Sequence, residues 1–194
     1  MIHSGKFSIT IVSGLPRSGT SMLMKMLEAG GMELLTDQIR TADLDNPKGY
    51  YEYERVKKLV SGDTLWLPTA RGKVVKVISA LLAYLPPKYQ YRVLFIQRPL
   101  SQVLASQRQM LIHQGKAPDQ VHDDEMVRIY EKHLEKVTQW LADQPNMQVL
   151  YLSYIQLIDQ PDSLITQIND FLGGQLDLTK MKETIDPNLF RQRS

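Results

Sequence analysis

The stretch ITIVSGLPRSGTSMLMKML, residues 9–27, constrains the fold more than any other part of this chain. Ile9 to Val12 is an apolar run rich in β-branched residues, and Phe7 to Ser13 reads as a buried strand. Gly14-Leu15-Pro16-Arg17-Ser18-Gly19 interrupts it. Thr20 to Ala29 then sets Leu23, Met26 and Leu27 at helical spacing, with Gly30-Gly31 as the stop. A strand, a glycine-bearing turn and a helix start form an anion site, because the first N–H groups of the helix are unpaired and its dipole favours negative charge there. Ser18, Gly19, Thr20 and Ser21 lie at that start, and Arg17 adds a planar charged fork suited to a tetrahedral oxyanion. The ATP-binding loop pattern, G-x-x-x-x-G-K-[ST], wants a lysine after the second glycine, and here that position is Thr20. Without a ligand, the same residues make an ordinary strand-to-helix turn.

The remainder alternates between strand and helix patterns. A short strand is expected near Met32 to Leu35, and polar Thr36 to Gly49 ends in the turn signature Asn46-Pro47-Lys48-Gly49. Tyr50 to Val60 has Val56, Leu59 and Val60 at helical spacing; Lys73 to Ser79 reads as a strand, and Ala80 to Leu85 as a turn of helix closed by Pro86-Pro87. YRVLFIQ, Tyr91 to Gln97, is the clearest buried strand, followed by a helix from Leu100 to His113. A long amphipathic helix is expected from Asp123 to Asp143 with Met126, Tyr130, Leu134, Val137 and Leu141 inward. Gln148 to Ser153 is the last strand, and a helix from Asp162 to Leu172 ends at Gly173-Gly174. This order implies βαβ crossovers: an α/β fold with a P-loop-type central parallel sheet of about five strands and helices on both faces. The 194 residues suit a single domain, 1–194, with no repeat or internal linker.

Composition narrows the partners. A net charge of +2 gives no case for nucleic acid or a membrane surface, so any phosphate binding has to be local. The absence of cysteine excludes disulfides, thiolate nucleophiles and cysteine metal sites, and fits a cytoplasmic location. The opening residues lack signal-peptide character, and no apolar run approaches the roughly 18 residues a span needs, so stable membrane insertion is not expected. Nothing in the sequence fixes the oligomeric state.

A second cluster lies in FIQRPLSQVLASQRQM, residues 95–110. Arg98 stands at the carboxyl end of the strongest strand, and Ser106 follows eight residues later on the next helix. An arginine at a strand end and a serine on the next helix can converge on one anion in the crevice where ligands bind in open α/β sheets, although either alone is an ordinary surface or helix-face residue.

Taken together, these segments resemble the sulfotransferase family. Pro16-Arg17-Ser18-Gly19-Thr20-Ser21 is similar to its 5′-phosphosulfate loop, and Arg98 with Ser106 to its 3′-phosphate site. VLYLSYIQLIDQP, residues 149–161, resembles a later strand in which the tyrosine matching Tyr154 contacts adenine. FLGG, residues 171–174, resembles the closing helix end, and DPNLFRQRS resembles a basic tail whose arginines, here Arg191 and Arg193, return to the 3′-phosphate. The resemblance implies 3′-phosphoadenosine 5′-phosphosulfate (PAPS) as donor and 3′-phosphoadenosine 5′-phosphate (PAP) as product. With no β/γ-phosphates, such a donor needs neither the missing lysine nor a metal. A small-molecule, glycan or lipid acceptor is expected, with a hydroxyl or amine as the attacking group.

Sulfuryl transfer to such an acceptor needs a base, positive charge at the departing phosphate, and in-line placement. Lys76 in KVIS matches the family's strand-end lysine, but Ile78 occupies the place of its histidine. His3, His113, His122 and His133 read as surface or helix-face residues away from strand ends. DNPKGYYEYE, residues 45–54, resembles a bacterial NPxGYxE segment and puts Glu52 forward as the base, just inside a helix start, with Glu54 as the alternative. An acidic residue favoured by the helix dipole is the plain explanation of Glu52. Tyr50, Tyr51 and Tyr53 are either walls of an acceptor pocket or packing residues. The expected catalytic set is Glu52, Lys76 and Arg17. The rival classes are a P-loop kinase or NTPase, and a non-catalytic nucleotide-binding protein of the same fold.

Overall fold

The computed structural model describes residues 8–37, 49–115 and 122–185. Its four strands are β1 (Ile9–Ser13), β2 (Val74–Lys76), β3 (Tyr91–Gln97) and β4 (Met147–Ser153), all parallel, in the order β2-β1-β3-β4. Ile11 stands beside Val75 on one side and Val93 on the other, and Val93 beside Val149. β1 and β3 are central and covered on both faces, which is why they read as unbroken apolar runs rather than as alternations.

Two cores follow from the pleat. Ile9, Ile11, Val75, Val93 and Phe95 face a layer that includes Val56, Leu59, Trp66, Leu67 and Leu82 from three short 3₁₀ helices. The long helix α3 (Asp123–Ala142) completes that layer through Leu134, Val137, Trp140 and Leu141. Val12, Val74, Leu94, Ile96 and Leu152 face the other way. They pack on α1 (Thr20–Ala29), α4 (Tyr154–Asp159), α5 (Pro161–Leu172) and α6 (Leu178–Glu183). Between β3 and α3 comes α2 (Leu100–His113), which packs beside α3. The chain leaves β1 toward β2 and then crosses to β3 on the opposite side of β1. The carboxyl ends of β1 and β3 therefore flank the switch point at which such sheets open a ligand crevice.

The parallel sheet with helices on both faces is as expected, with four strands among the described residues, close to the about five anticipated. Met32 to Leu35 forms a single bridge, Leu34 with Val74, instead of a strand. The chain then turns away, and Asp37 places its carboxylate 2.5 Å from the Glu54 N–H, capping the 3₁₀ helix Glu54–Ser61. That helix realises the helical spacing seen from Tyr50 to Val60, but starts later. β2 stops at Lys76, yet the chain keeps to β1 a little longer: Val77 N–H bonds Val12 O at 3.0 Å, and Ser79 N–H bonds Gly14 O at 3.0 Å. On α3 only Leu141 of the five expected inward residues is fully buried. Residues 46–48 of the turn signature, along with Arg191 and Arg193, lie outside the described residues. Among the described residues no helix is long and apolar enough to cross a membrane.

Candidate active site

The loop between β1 and α1 is shaped by two glycines. At Gly14 (φ 150°) a Cβ would lie 2.5 Å from Ile96 O and 2.6 Å from Ser18 Oγ. At Gly19 (φ 105°), the N-cap of α1, it would lie 2.5 Å from the Tyr154 ring. Only glycine permits these approaches in this backbone region. Ser18 closes the turn: its N–H and its hydroxyl both donate to Leu15 O, at 3.2 and 2.7 Å. Thr20 and Ser21 open α1, whose first turn carries no acidic residue to compete with an anion.

A cation cluster stands beside this loop. Arg17 Nε donates to Ser106 Oγ at 3.0 Å, and Arg98 donates to Arg17 O at 3.2 Å and to Gln102 Oε1 at 3.1 Å. The Arg98 guanidinium lies 4.4 Å from the centroid of the Tyr154 ring, within cation–π range. The loop, the end of β3, helix α2 and the start of α4 thus bring Arg17, Arg98, Ser106 and Tyr154 together in the crevice. Burial pushes the Arg98 pKa down, as does the Arg17 charge, while Tyr154 opposes; the guanidinium remains charged. Burial pushes the Tyr154 hydroxyl up against the pull of both arginines, so it stays neutral. Arg98 has no carboxylate partner among the described residues. The resemblance puts Arg17 at one end of a nucleotide and Arg98 with Ser106 at the other, whereas in the fold Arg17 reaches across to Ser106.

The second group gathers on the other flank, around Lys76 at the end of β2. Its ammonium bonds the Tyr50 carbonyl and lies 3.3 Å from Ser21 Oγ and 3.7 Å from Glu52 Oε1. Ser21 Oγ also donates to Tyr50 O at 3.3 Å. The other Glu52 oxygen faces Lys57 at 3.7 Å. Glu52 lies on the same side as Lys76 and the start of α1. It stands two residues before the 3₁₀ helix rather than inside a helix start. Glu54, by contrast, pairs with the exposed Lys57 at 2.6 Å. Of the three tyrosines, Tyr53 packs edge-on against Trp66 in the first core, with ring centroids 5.5 Å apart. Tyr50 is buried, and Tyr51 packs against the second core.

One histidine is placed differently from the expectation. His133, on α3, places Nε2 2.9 Å from the hydroxyl of Ser79, three residues beyond the end of β2. It is therefore not a helix-face residue remote from strand ends. Burial pushes its pKa below the ordinary value. A signal was present: His133 immediately precedes Leu134 and follows Tyr130 by three, inside the inward stripe of the amphipathic helix. His113 and His122 are exposed at helix ends, and His3 lies outside the described residues. Among the described residues no three His, Asp or Glu side chains gather to hold a metal ion.

The family model described as "Sulfotransferase domain" matches residues 8–192. The chain belongs to this family. Among curated proteins, none matches the sequence significantly. A solved structure of mouse sulfotransferase SULT7A1 complexed with PAP is similar at a TM-score of 0.60 and 15% identity, over 97% of this chain and 67% of that one. The sulfotransferase domain of the Synechococcus PCC 7002 olefin synthase is similar at a TM-score of 0.53 and 17% identity, over 100% of this chain and 86% of that one. Retinol dehydratase in complex with androsterone and inactive cofactor PAP gives 0.52 and 18%, over 94% of this chain and 65% of that one. This chain therefore spans about two thirds of some of these structures, and at such identities the likeness is one of fold.

Proposed function

We propose that this sulfotransferase-family chain transfers a sulfuryl group from PAPS to a hydroxyl or amine on a small-molecule, glycan or lipid acceptor, as a single domain in the cytoplasm. The observation that supports this reading is that two groups of anion-binding side chains and N–H donors gather in one crevice. The helix start at Thr20 and Ser21, with Lys76 behind it, is one; Arg98 and Ser106 are the other. Arg17 stands between them, on the loop through its backbone and on Ser106 through Nε. A donor with phosphates at both the 5′ and 3′ positions of one nucleoside fits this donor set. A nucleoside triphosphate has no use for the second position.

When bound, PAPS supplies the activated sulfuryl group and leaves as PAP. The N–H groups opening α1, with Gly19, Thr20 and Ser21, take the 5′ end, and Ser18, both of whose donors go to Leu15 O, fixes the turn that presents them. Lys76 and Arg17 offset the charge that grows on the departing phosphate. Arg98 and Ser106 would hold the 3′-phosphate, Arg191 and Arg193 of the tail are further candidates for it, and Tyr154 would meet the adenine. Glu52, fixed between Lys76 and Lys57, takes the acceptor proton. The test is to incubate the purified protein with PAPS and a panel of phenols, sugars, amines and lipid head groups, and to follow PAP and sulfated product by mass spectrometry. Sulfated product with matching PAP is expected. Tight PAP binding without turnover on any acceptor would make this a nucleotide-binding protein, and preference for ATP over PAP would make it a kinase.

A further inference from the structure

We propose that α3 is a brace for the nucleotide loop, with His133 acting through Ser79, and Tyr130 through Gln107, as positioning residues. This rests on the PAPS-loop assignment above. His133 and Tyr130 are three residues apart and so share one face of the helix. From that face two hydrogen-bonded chains reach the loop. His133 Nε2 meets Ser79 Oγ at 2.9 Å, and the Ser79 N–H donates to Gly14 O at 3.0 Å. Tyr130 OH donates to Gln107 Oε1 at 2.9 Å, and Gln107 Nε2 approaches Pro16 O at 3.5 Å. Gly14 and Pro16 flank Leu15, whose carbonyl takes both donors of Ser18. Three successive loop carbonyls are therefore engaged, two of them from the α3 side of the sheet, while the anion position opens on the α1 side.

Packing alone would not select this arrangement. Ser79 is only 2% exposed, and a buried hydroxyl against a half-buried imidazole costs free energy unless the two bond each other. Two apolar residues would fill the space with no such cost. What the polar pair adds is direction: it fixes Ser79, and with it the N–H that holds Gly14. A loop held before the ligand arrives loses less entropy on binding. Burial keeps His133 neutral, so the brace adds no charge of its own beneath the phosphates.

The test compares His133→Ala, His133→Gln and Tyr130→Phe with Val137→Ala, which cuts into the core one turn along the same helix. PAP affinity is measured by calorimetry, and amide hydrogen exchange is followed in segment 14–21 without nucleotide. His133→Ala should weaken PAP binding about three- to tenfold, the worth of one net hydrogen bond, and speed exchange in the loop. His133→Gln, whose amide can still meet Ser79, should recover most of both. Tyr130→Phe should shift both in the same direction by less, because its link to Pro16 is the longer one. Val137→Ala should lower the melting temperature while leaving both unchanged. If His133→Ala alters loop exchange and PAP affinity no more than Val137→Ala does, the brace is refuted. Hydrogen exchange also separates the two possible failures: a wild-type protein that ignores PAP defeats the donor assignment, and loop exchange indifferent to His133 defeats the brace.

Discussion

Replacing Arg98 by methionine isolates the position assigned to the 3′-phosphate. The side chain is half-buried, with its guanidinium on the Tyr154 ring and hydrogen bonds to Arg17 O and Gln102. Methionine keeps an unbranched stem of similar length and makes its own favourable contact with an aromatic ring, so Tyr154 need not move. Stability should fall by about 1–3 kcal/mol, since a cation–π contact and two hydrogen bonds are lost while the repulsion between Arg17 and Arg98 is relieved. Binding should respond more strongly and selectively. A charge-assisted hydrogen bond is worth about 1.5–3 kcal/mol, so PAP affinity should fall about 10- to 150-fold. AMP has no 3′-phosphate, and its affinity should fall less than about threefold on the same arithmetic. Calorimetry of both nucleotides on both proteins gives the decisive quantity, the PAP-to-AMP affinity ratio. It should be at least about tenfold in the wild type and approach one in Arg98→Met. A ratio that survives the substitution, or an equal loss for both nucleotides, would refute the assignment.

Other consequences are testable on the same protein. Gly19→Ala should cost about 1–3 kcal/mol of unfolding free energy for its left-handed backbone, measured by denaturant titration. It should weaken PAP at least about tenfold, because the new methyl displaces Tyr154 from Arg98 and the loss is of charge-assisted-bond size. Glu52→Gln should lower turnover by about 10²–10⁴ with PAP affinity nearly unchanged, whereas Glu54→Gln, on the exposed pair with Lys57, should do far less. A loss of PAP affinity as large as the loss of rate would reduce Glu52 to a holder of Lys76. Sulfuryl transfer should persist in excess EDTA, since Lys76 and the arginines supply the positive charge; a complete loss on chelation would contradict that mechanism.

Periodicity served well wherever packing alone decides. α1, β3 and α2 end where their apolar patterns and glycine stops put them, and the parallel order follows from strand–helix alternation. It failed at chain edges and where backbone bonds reach across. Met32 to Leu35 has strand character, but its pairing with β2 ends after one bridge because Asp37 is needed at the next helix start. The site was legible as residue types at strand ends, not as contacts. Arg17 and Ser106 lie 89 positions apart, and Ser79 and His133 lie 54 apart, separations at which one sequence gives no periodic signal.

The two directions that most resisted reading have a common cause. Among the described residues, the non-glycine residues with positive φ are Arg17 (71°) and Tyr51 (53°). Each breaks the local preference of its residue type, and each does so at the crevice. The left-handed turn at Arg17 comes within the loop between Gly14 and Gly19, and its side chain runs to Ser106 while Thr20 begins α1. The turn at Tyr51 holds off the helix that the spacing implies. Tyr53 remains extended, Tyr50 turns its carbonyl to Lys76, and Glu52 is left beside that lysine instead of within a helical turn. Burial, with the Glu28 carboxylate of α1 nearby, pushes the pKa of the Tyr51 hydroxyl up. Left-handed non-glycine residues cost about 1–3 kcal/mol each and persist where the surroundings over-determine them. Here the surroundings are α1, β2 and α2, the elements that carry the proposed anion positions. The strain therefore falls at the residues that aim Arg17 and Glu52, where a propensity-based reading of the sequence is least able to follow.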